Sequence, residues 1–163
     1  MERQIDFFID NACKNIKDFD CGYEVFNDYL HKRIPDDKAA YHYVINIDND
    51  ELIAYFSLLA SCVILGDLND YDLVPAIELK MYAINKKYQG MNLSNKIIDA
   101  VIDIVDEITL EEIGARMLIL YSVPSEKVMK MYEKSGFTKM PENFSMYKSY
   151  FNDGCIPMYM LIR

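Results

Sequence analysis

The chain has 163 residues, 52% of them hydrophobic, and a formal net charge of -9. That length suits one domain with its own core, spanning residues 1–163, and the acidity disfavours general binding to a nucleic acid backbone while favouring cationic ligands such as amines. No apolar run approaches the roughly 18 to 20 residues that cross a bilayer, and MERQIDFF has charges where a signal peptide needs an apolar core, so no membrane partner is expected and the expected compartment is the cytoplasm.

In chain order, Gln4 to Ile9 alternates as a first strand would. Asp20 stands as the N-cap of a helix running to about Arg33, with Val25, Phe26, Tyr29, Leu30 and Ile34 on one face and His31 off it. Pro35, Asp36 and Asp37 break that helix. Tyr41 to Ile47 and Leu52 to Leu65 read as an antiparallel hairpin turned by Asp48, Asn49 and Asp50. The second of these strands is almost wholly apolar and belongs in the middle of a sheet. Gly66 to Asp72 reads as an acidic loop, and Pro75 admits a strand from Ile77 to Ile84. On that strand Glu78, Lys80, Tyr82 and Ile84 share one face, with Ile77, Leu79, Met81 and Ala83 on the other.

A polar turn with Lys86, Lys87, Gln89 and Gly90 follows, then a helix from near Asn92 with Leu93, Ile97, Ile98, Val101, Ile102 and Val105 at helical spacing. Strand, turn and helix together make an anion-binding device, because the first N–H groups of a helix lack internal partners and carry the positive end of its dipole. Arg116 to Tyr121 is a short apolar strand, and Ser125 caps a helix with Val128, Met129, Met131 and Tyr132 that stops at Gly136. Ser145 to Tyr150 and Ile156 to Ile162 read as closing strands, turned by Asn152, Asp153 and Gly154. The pattern is α+β, an α/β sandwich with a mixed, mostly antiparallel sheet and helices on both faces. Cys13, Cys21, Cys62 and Cys155 are scattered without a C-x-x-C pair, and His31 and His42 are the two imidazoles. Reduced thiols and no metal are expected.

The segments YQGMNLS and SEKVMKMYEKSGF, in this order of elements, resemble the GNAT superfamily of N-acetyltransferases over most of the chain. The family's turn carries Gln or Arg, two residues, Gly, one residue, then Gly or Ala, and its amides hold the pyrophosphate of acetyl-coenzyme A. Here Gln89, Gly90, Met91, Asn92, Leu93 and Ser94 occupy it, with Asn92 and Ser94 departing from the pattern. Asn enters the left-handed region more readily than other non-glycine residues, and Ser is small enough to sit beside a phosphate. Without the rest of the chain, Gln89-Gly90 reads as ordinary loop punctuation.

The resemblance implies that acetyl-coenzyme A is the co-substrate, held by Ala83, Ile84, Gln89, Gly90, Met91, Asn92, Leu93, Ser94, Asn95, Ser125 and Tyr132. It also implies that Tyr132, in the run Tyr-Glu-Lys-Ser-Gly-Phe, is the general acid that protonates the departing thiolate. A thiol of pKa about 8.5 beside a phenol of about 10 makes that chemistry sensible. The other reading of Tyr132 is a core aromatic, and that of Ser125 a helix cap. Glu78 corresponds to the general base of the protein-lysine branch, and reads equally as a substrate-binding charge or an edge residue paired with Lys80.

Phe19-Asp20-Cys21-Gly22, Asn27-Asp28-Tyr29-Leu30 and Tyr55-Phe56-Ser57-Leu58 look like the GNAT subgroup that includes toxins of bacterial toxin-antitoxin pairs, which acetylate aminoacyl-tRNA. The expected activity is therefore acetyl transfer to a primary amine by direct attack. Two alternatives stand beside it: a toxin acting on aminoacyl-tRNA, against which the net charge counts, and a non-catalytic acyl-coenzyme A module. The identity of the acceptor and the oligomeric state, where similar proteins are often homodimers, stay open at this level.

Overall fold

The computed structural model describes residues 8–10, 16–47, 51–67, 70–142, 144–146 and 154–162. The described strands are β1 (Phe8–Asp10), β2 (Ala40–Ile47), β3 (Glu51–Asp67), β4 (Asp70–Ile84), β5 (Met117–Ser122), β6 (Thr138–Lys139), β7 (Phe144–Met146) and β8 (Ile156–Leu161). The longer helices are α1 (Glu24–Asp28), α2 (Leu93–Glu111) and α3 (Glu126–Lys134). Hydrogen-bonded strands follow the order β1-β2-β3-β4-β5-β8-β6, with β7 on β3. The β4–β5 pair is parallel, as a strand-helix-strand connection requires, and β1–β2, β3–β7, β5–β8 and β6–β8 are antiparallel. This is the mixed α+β architecture expected.

The chain divides into two compact units, residues 1–58 with 80–94 and residues 59–79 with 95–163. The first unit is built on aromatics. Phe19 meets Tyr55 edge-on at 5.4 Å, Tyr29 stacks on Tyr55 at 6.5 Å, and Tyr43 stacks on Phe56 at 4.6 Å. Its helical segment departs from expectation. Asp20 is not the N-cap, which falls at Tyr23, and after five α-helical residues the chain widens into a π-helix over Tyr29–Arg33. Asp20 is drawn elsewhere: its Oδ1 accepts from the Gly22 amide at 2.8 Å and from Asn27 Nδ2 at 2.9 Å. The π-turn also rotates the apolar stripe, so that Tyr29, Leu30 and Ile34 are buried while Val25 lies exposed.

The second unit packs Val63, Ala76, Met117 and Ile119 with Leu65, Val74, Met140 and Tyr159. Ile97, Ile98, Val101 and Val105 of α2 are fully buried, as the 3.6-residue spacing predicts. The acidic loop expected over Gly66 to Asp72 is largely strand, since β3 runs to Asp67 and β4 starts at Asp70. Alternation fails as a guide in these long strands, whose ends carry polar residues. The short β6 was not expected. Of the closing strands, Phe144–Met146 and Ile156–Leu161 are formed, while residues 147–153 of the expected strand and turn lie outside the described residues, as does the first part of the strand expected from Gln4.

Candidate active site

In the first unit the turn after β4 is held by side chains from far along the chain. Asn85, buried, accepts from the Lys87 amide at 3.2 Å and starts a single 3-10 turn, while its own amide donates to Ile53 O at 2.8 Å. Gln89 Nε2 donates to Ile84 O and to Cys21 O, both at 2.9 Å. Asp20 receives the Lys86 amide on its carbonyl at 2.8 Å and the Lys86 ammonium on Oδ2 at 2.5 Å. The Lys86, Asn27 and Gly22 hydrogen bonds hold the Asp20 carboxyl far below the usual carboxylate range. Glu51 takes Lys87 at 3.3 Å. Burial, then the Glu51 carboxylate, pushes the Tyr88 hydroxyl up to about 12.

Lys86 and Lys87 therefore each carry a carboxylate partner, and the Gln89 side chain serves as a brace. What the turn offers a ligand is backbone. Gly90 has φ +80° and Asn92 φ +55°, the one non-glycine residue with positive φ among those described. The Asn at the departing motif position thus takes the left-handed conformation that otherwise calls for glycine. Leu93 and Ser94 open α2, and Tyr82 Oη donates to Ser94 O at 3.2 Å. Met91 is exposed, and Ala83 and Ile84 are buried at the end of β4.

In the second unit the residues Tyr132 to Phe137 form a Schellman motif. The Phe137 amide donates to Tyr132 O at 3.1 Å, the Gly136 amide to Glu133 O at 3.1 Å, and Gly136 has φ +97°. The Tyr132 and Phe137 rings meet edge-on at 5.8 Å. The Tyr-x-x-x-Gly-Phe spacing is therefore a helix cap whose apolar contact sets the position of the Tyr132 ring. Tyr132 is buried, burial pushes its hydroxyl well above the usual phenol range, and among the described residues that hydroxyl has no hydrogen-bond partner. A buried hydroxyl left without a partner costs about 1–3 kcal/mol, so it calls for a functional reason.

Asn95 Nδ2 donates to Met131 O at 3.1 Å and to Ser135 Oγ at 2.9 Å, tying the first turn of α2 to the helix that carries Tyr132. Its side chain is a structural tie, which leaves its backbone for a ligand. Ser125 is the N-cap of α3 but makes no side-chain cap bond. Glu78 is buried on β4 opposite Ile119. Lys80, two residues on, bonds Asp37. Cys21, Cys62 and Cys155 are free thiols, and among the described residues no group of three His, Cys, Asp or Glu side chains gathers around a metal position. No described helix is long and apolar enough to cross a membrane.

No family model and no curated protein matches the chain. Solved structures do. A mutant of the toxin AtaT matches with a TM-score of 0.77 at 18% identity, covering 96% of this chain and 90% of that one. The KacTA–DNA complex matches at 0.72 and 20%, over 96% and 94%. AtaT complexed with acetyl-methionyl-tRNAfMet matches at 0.70 and 22%, over 87% and 94%. The chain has the GNAT fold. The turn after β4 lies in the first unit and the capped Tyr132 helix in the second.

Sequence reasoning missed the braces. Asp20, read above as a helix cap, and Cys21 with Asn27 hold the turn from 66 and 68 residues away. Their signal was present as an unexplained Phe-Asp-Cys-Gly…Asn pattern. Tyr82 gave none, since a tyrosine on a strand face reads as packing.

Proposed function

We propose that this protein is an acetyl-coenzyme A-dependent N-acetyltransferase of the toxin type, whose acceptor is the α-amino group of an aminoacyl-tRNA. The observation that carries the transferase reading is the Tyr132 hydroxyl, buried and without a protein partner among the described residues. The coenzyme reading is supported by left-handed Gly90 and Asn92 just before the start of α2, because the N-terminal amides of a helix suit a pyrophosphate. In the reaction the neutral amine attacks the thioester carbonyl, the C–S bond breaks, and Tyr132 gives its proton to the leaving thiolate. Glu78 or water takes the proton that the acceptor ammonium must lose. Ala83 and Ile84 hold the pantetheine arm through their backbone, and Ser125 supports the helix that carries Tyr132.

The choice of acceptor draws on similar structures, one of them AtaT with acetyl-methionyl-tRNAfMet and another AtaTR bound with acetyl-coenzyme A. The net charge of -9 is not decisive against it, because charge is distributed unevenly. Between Glu126 and Lys139, around Tyr132, four lysines stand against two glutamates. Lys127, Lys134 and Lys139 are exposed and form no ion pair among the described residues. Backbone phosphates respond to such local charge.

The test is transfer of labelled acetyl groups to a panel of aminoacyl-tRNAs, polyamines and lysine peptides. Label recovered as N-acetyl amino acid after mild alkaline release of the tRNA is the expected result. Label on the small amines alone would reject the tRNA acceptor and leave the general transferase.

A further inference from the structure

The first unit contains a polar cluster that the transfer chemistry above leaves unused. The Lys80 ammonium donates to Asp37 Oδ2 at 2.5 Å and lies 5.4 Å from the centre of the Tyr29 ring. The Tyr29 hydroxyl donates to the same Oδ2 at 2.6 Å, and the Ala39 amide donates to Oδ1 at 3.1 Å. His42 supports the arrangement from behind, with Nε2 donating to Asp37 O at 3.1 Å and Nδ1 meeting Ser57 Oγ at 2.8 Å. Burial opposes ionisation of Asp37, but the Lys80 and Tyr29 hydrogen bonds outweigh it and hold the carboxyl at about 2.

Stability alone does not account for such a cluster. A half-buried ion pair is weak evidence for stability, because apolar residues of similar size do as well. Tyr29 also stands at the start of the π-helix, a widened turn frequently found at functional sites. The group that sits in the cluster is informative. A carboxylate at hydrogen-bond distance with an aromatic face within 6 Å is how a protein holds a protonated amine, and Lys80 is one. Its side chain and that of Asp37 are each 15% exposed, so the pair can exchange with solvent.

We propose that Asp37 and Tyr29 form a subsite for the protonated amino group of an acceptor, and that the Lys80 ammonium is its resident occupant, displaced when the acceptor enters. Its use in catalysis rests on the proposed acetyl transfer; the binding itself does not.

Two measurements separate the cases. In protein labelled with nitrogen-15 at lysine, the Lys80 Nζ resonance, assigned by its loss in Lys80→Met, should shift saturably on titration with methionine methyl ester. N-acetylmethionine methyl ester, whose amine is blocked, should leave it unmoved, and Asp37→Asn should abolish the response. A Lys80 signal indifferent to the free amine, or moved equally by the blocked one, overturns the subsite even if the enzyme proves active. With an active enzyme, Asp37→Asn should raise the acceptor KM about tenfold and Lys80→Met should lower it, with the acetyl-coenzyme A KM unchanged in both. Unchanged acceptor KM in both variants overturns it equally. Failure of the wild type to transfer acetyl to any amine would refute the transferase reading and leave the nuclear resonance result to decide the subsite.

Discussion

The turn after β4 and the cap of α3 are both short motifs built around a left-handed residue, yet they are stabilised in opposite ways. The cap is mostly local: its backbone bonds and ring contact lie between Tyr132 and Phe137, and one distant side chain, Asn95, adds bonds to Met131 O and Ser135 Oγ. The turn depends on Asp20, Cys21 and Glu51, which reach it across 66, 68 and 36 residues. A locally coded motif survives as a readable pattern, whereas a motif braced from a distance can drift in its own residues while its braces hold.

The comparison can be broken most forcefully at Tyr132. Tyr132→Phe removes a hydroxyl that bonds nothing described, so the fold should be unaffected while turnover falls roughly a hundredfold to ten-thousandfold. Thiol release with the true acceptor and the unfolding midpoint, measured side by side, check this. Gly136→Ala acts on the same cap through the backbone. At φ +97° an L side chain is strained, and the cost should be about 1–2 kcal/mol in the unfolding free energy, with turnover falling as the Tyr132 ring loses its set position.

On the turn, Gln89→Glu should weaken acetyl-coenzyme A binding more than Gln89→Ala. A carboxylate cannot donate to the two carbonyls and repels them, while the alanine loses about 1 kcal/mol for each bond. Calorimetric titration of both variants separates them. Smaller still, Asn92→Gly should be nearly neutral, whereas Asn92→Ala should cost about 1 kcal/mol, because only the former accepts φ +55° freely. Equal effects would mean that the turn does not use the left-handed conformation.

Stability should also depend on pH through Asp37. Its carboxyl is depressed to about 2 from an ordinary 3.8, so its contribution is whole above 3.8 and is lost as pH falls towards 2. Lys80→Met should flatten that part of the profile measured by chemical denaturation.

The order of strands and helices was legible because β3 is a near-continuous apolar run, β2 is rich in strand-forming residues, and apolar spacing of 3.6 residues survives in α2 and α3. The π-turn was not, since one extra residue per turn shifts Val25 out of the core without altering composition. Strand ends beyond Leu65 and before Ile77 were hidden by their polar residues. The cap after Tyr132 was readable from the glycine and aromatic that close it, and the positive φ at Asn92 from that residue's tolerance of it. The Asp37–Tyr29–Lys80 cluster was not readable, because no local pattern joins residues on a helix, a loop and a strand.

The central claim is that Tyr132 is the acid of an acetyl transfer to the amino group of an aminoacyl-tRNA. A single-turnover reaction of wild type and Tyr132→Phe with labelled acetyl-coenzyme A and methionyl-tRNA measures it directly. The account predicts N-acetylmethionyl-tRNA and free thiol in equal amounts from the wild type, and intact acetyl-coenzyme A, still bound, with the variant. Equal rates for the two proteins would contradict the role of Tyr132, and bound coenzyme with no transfer by the wild type would contradict the activity.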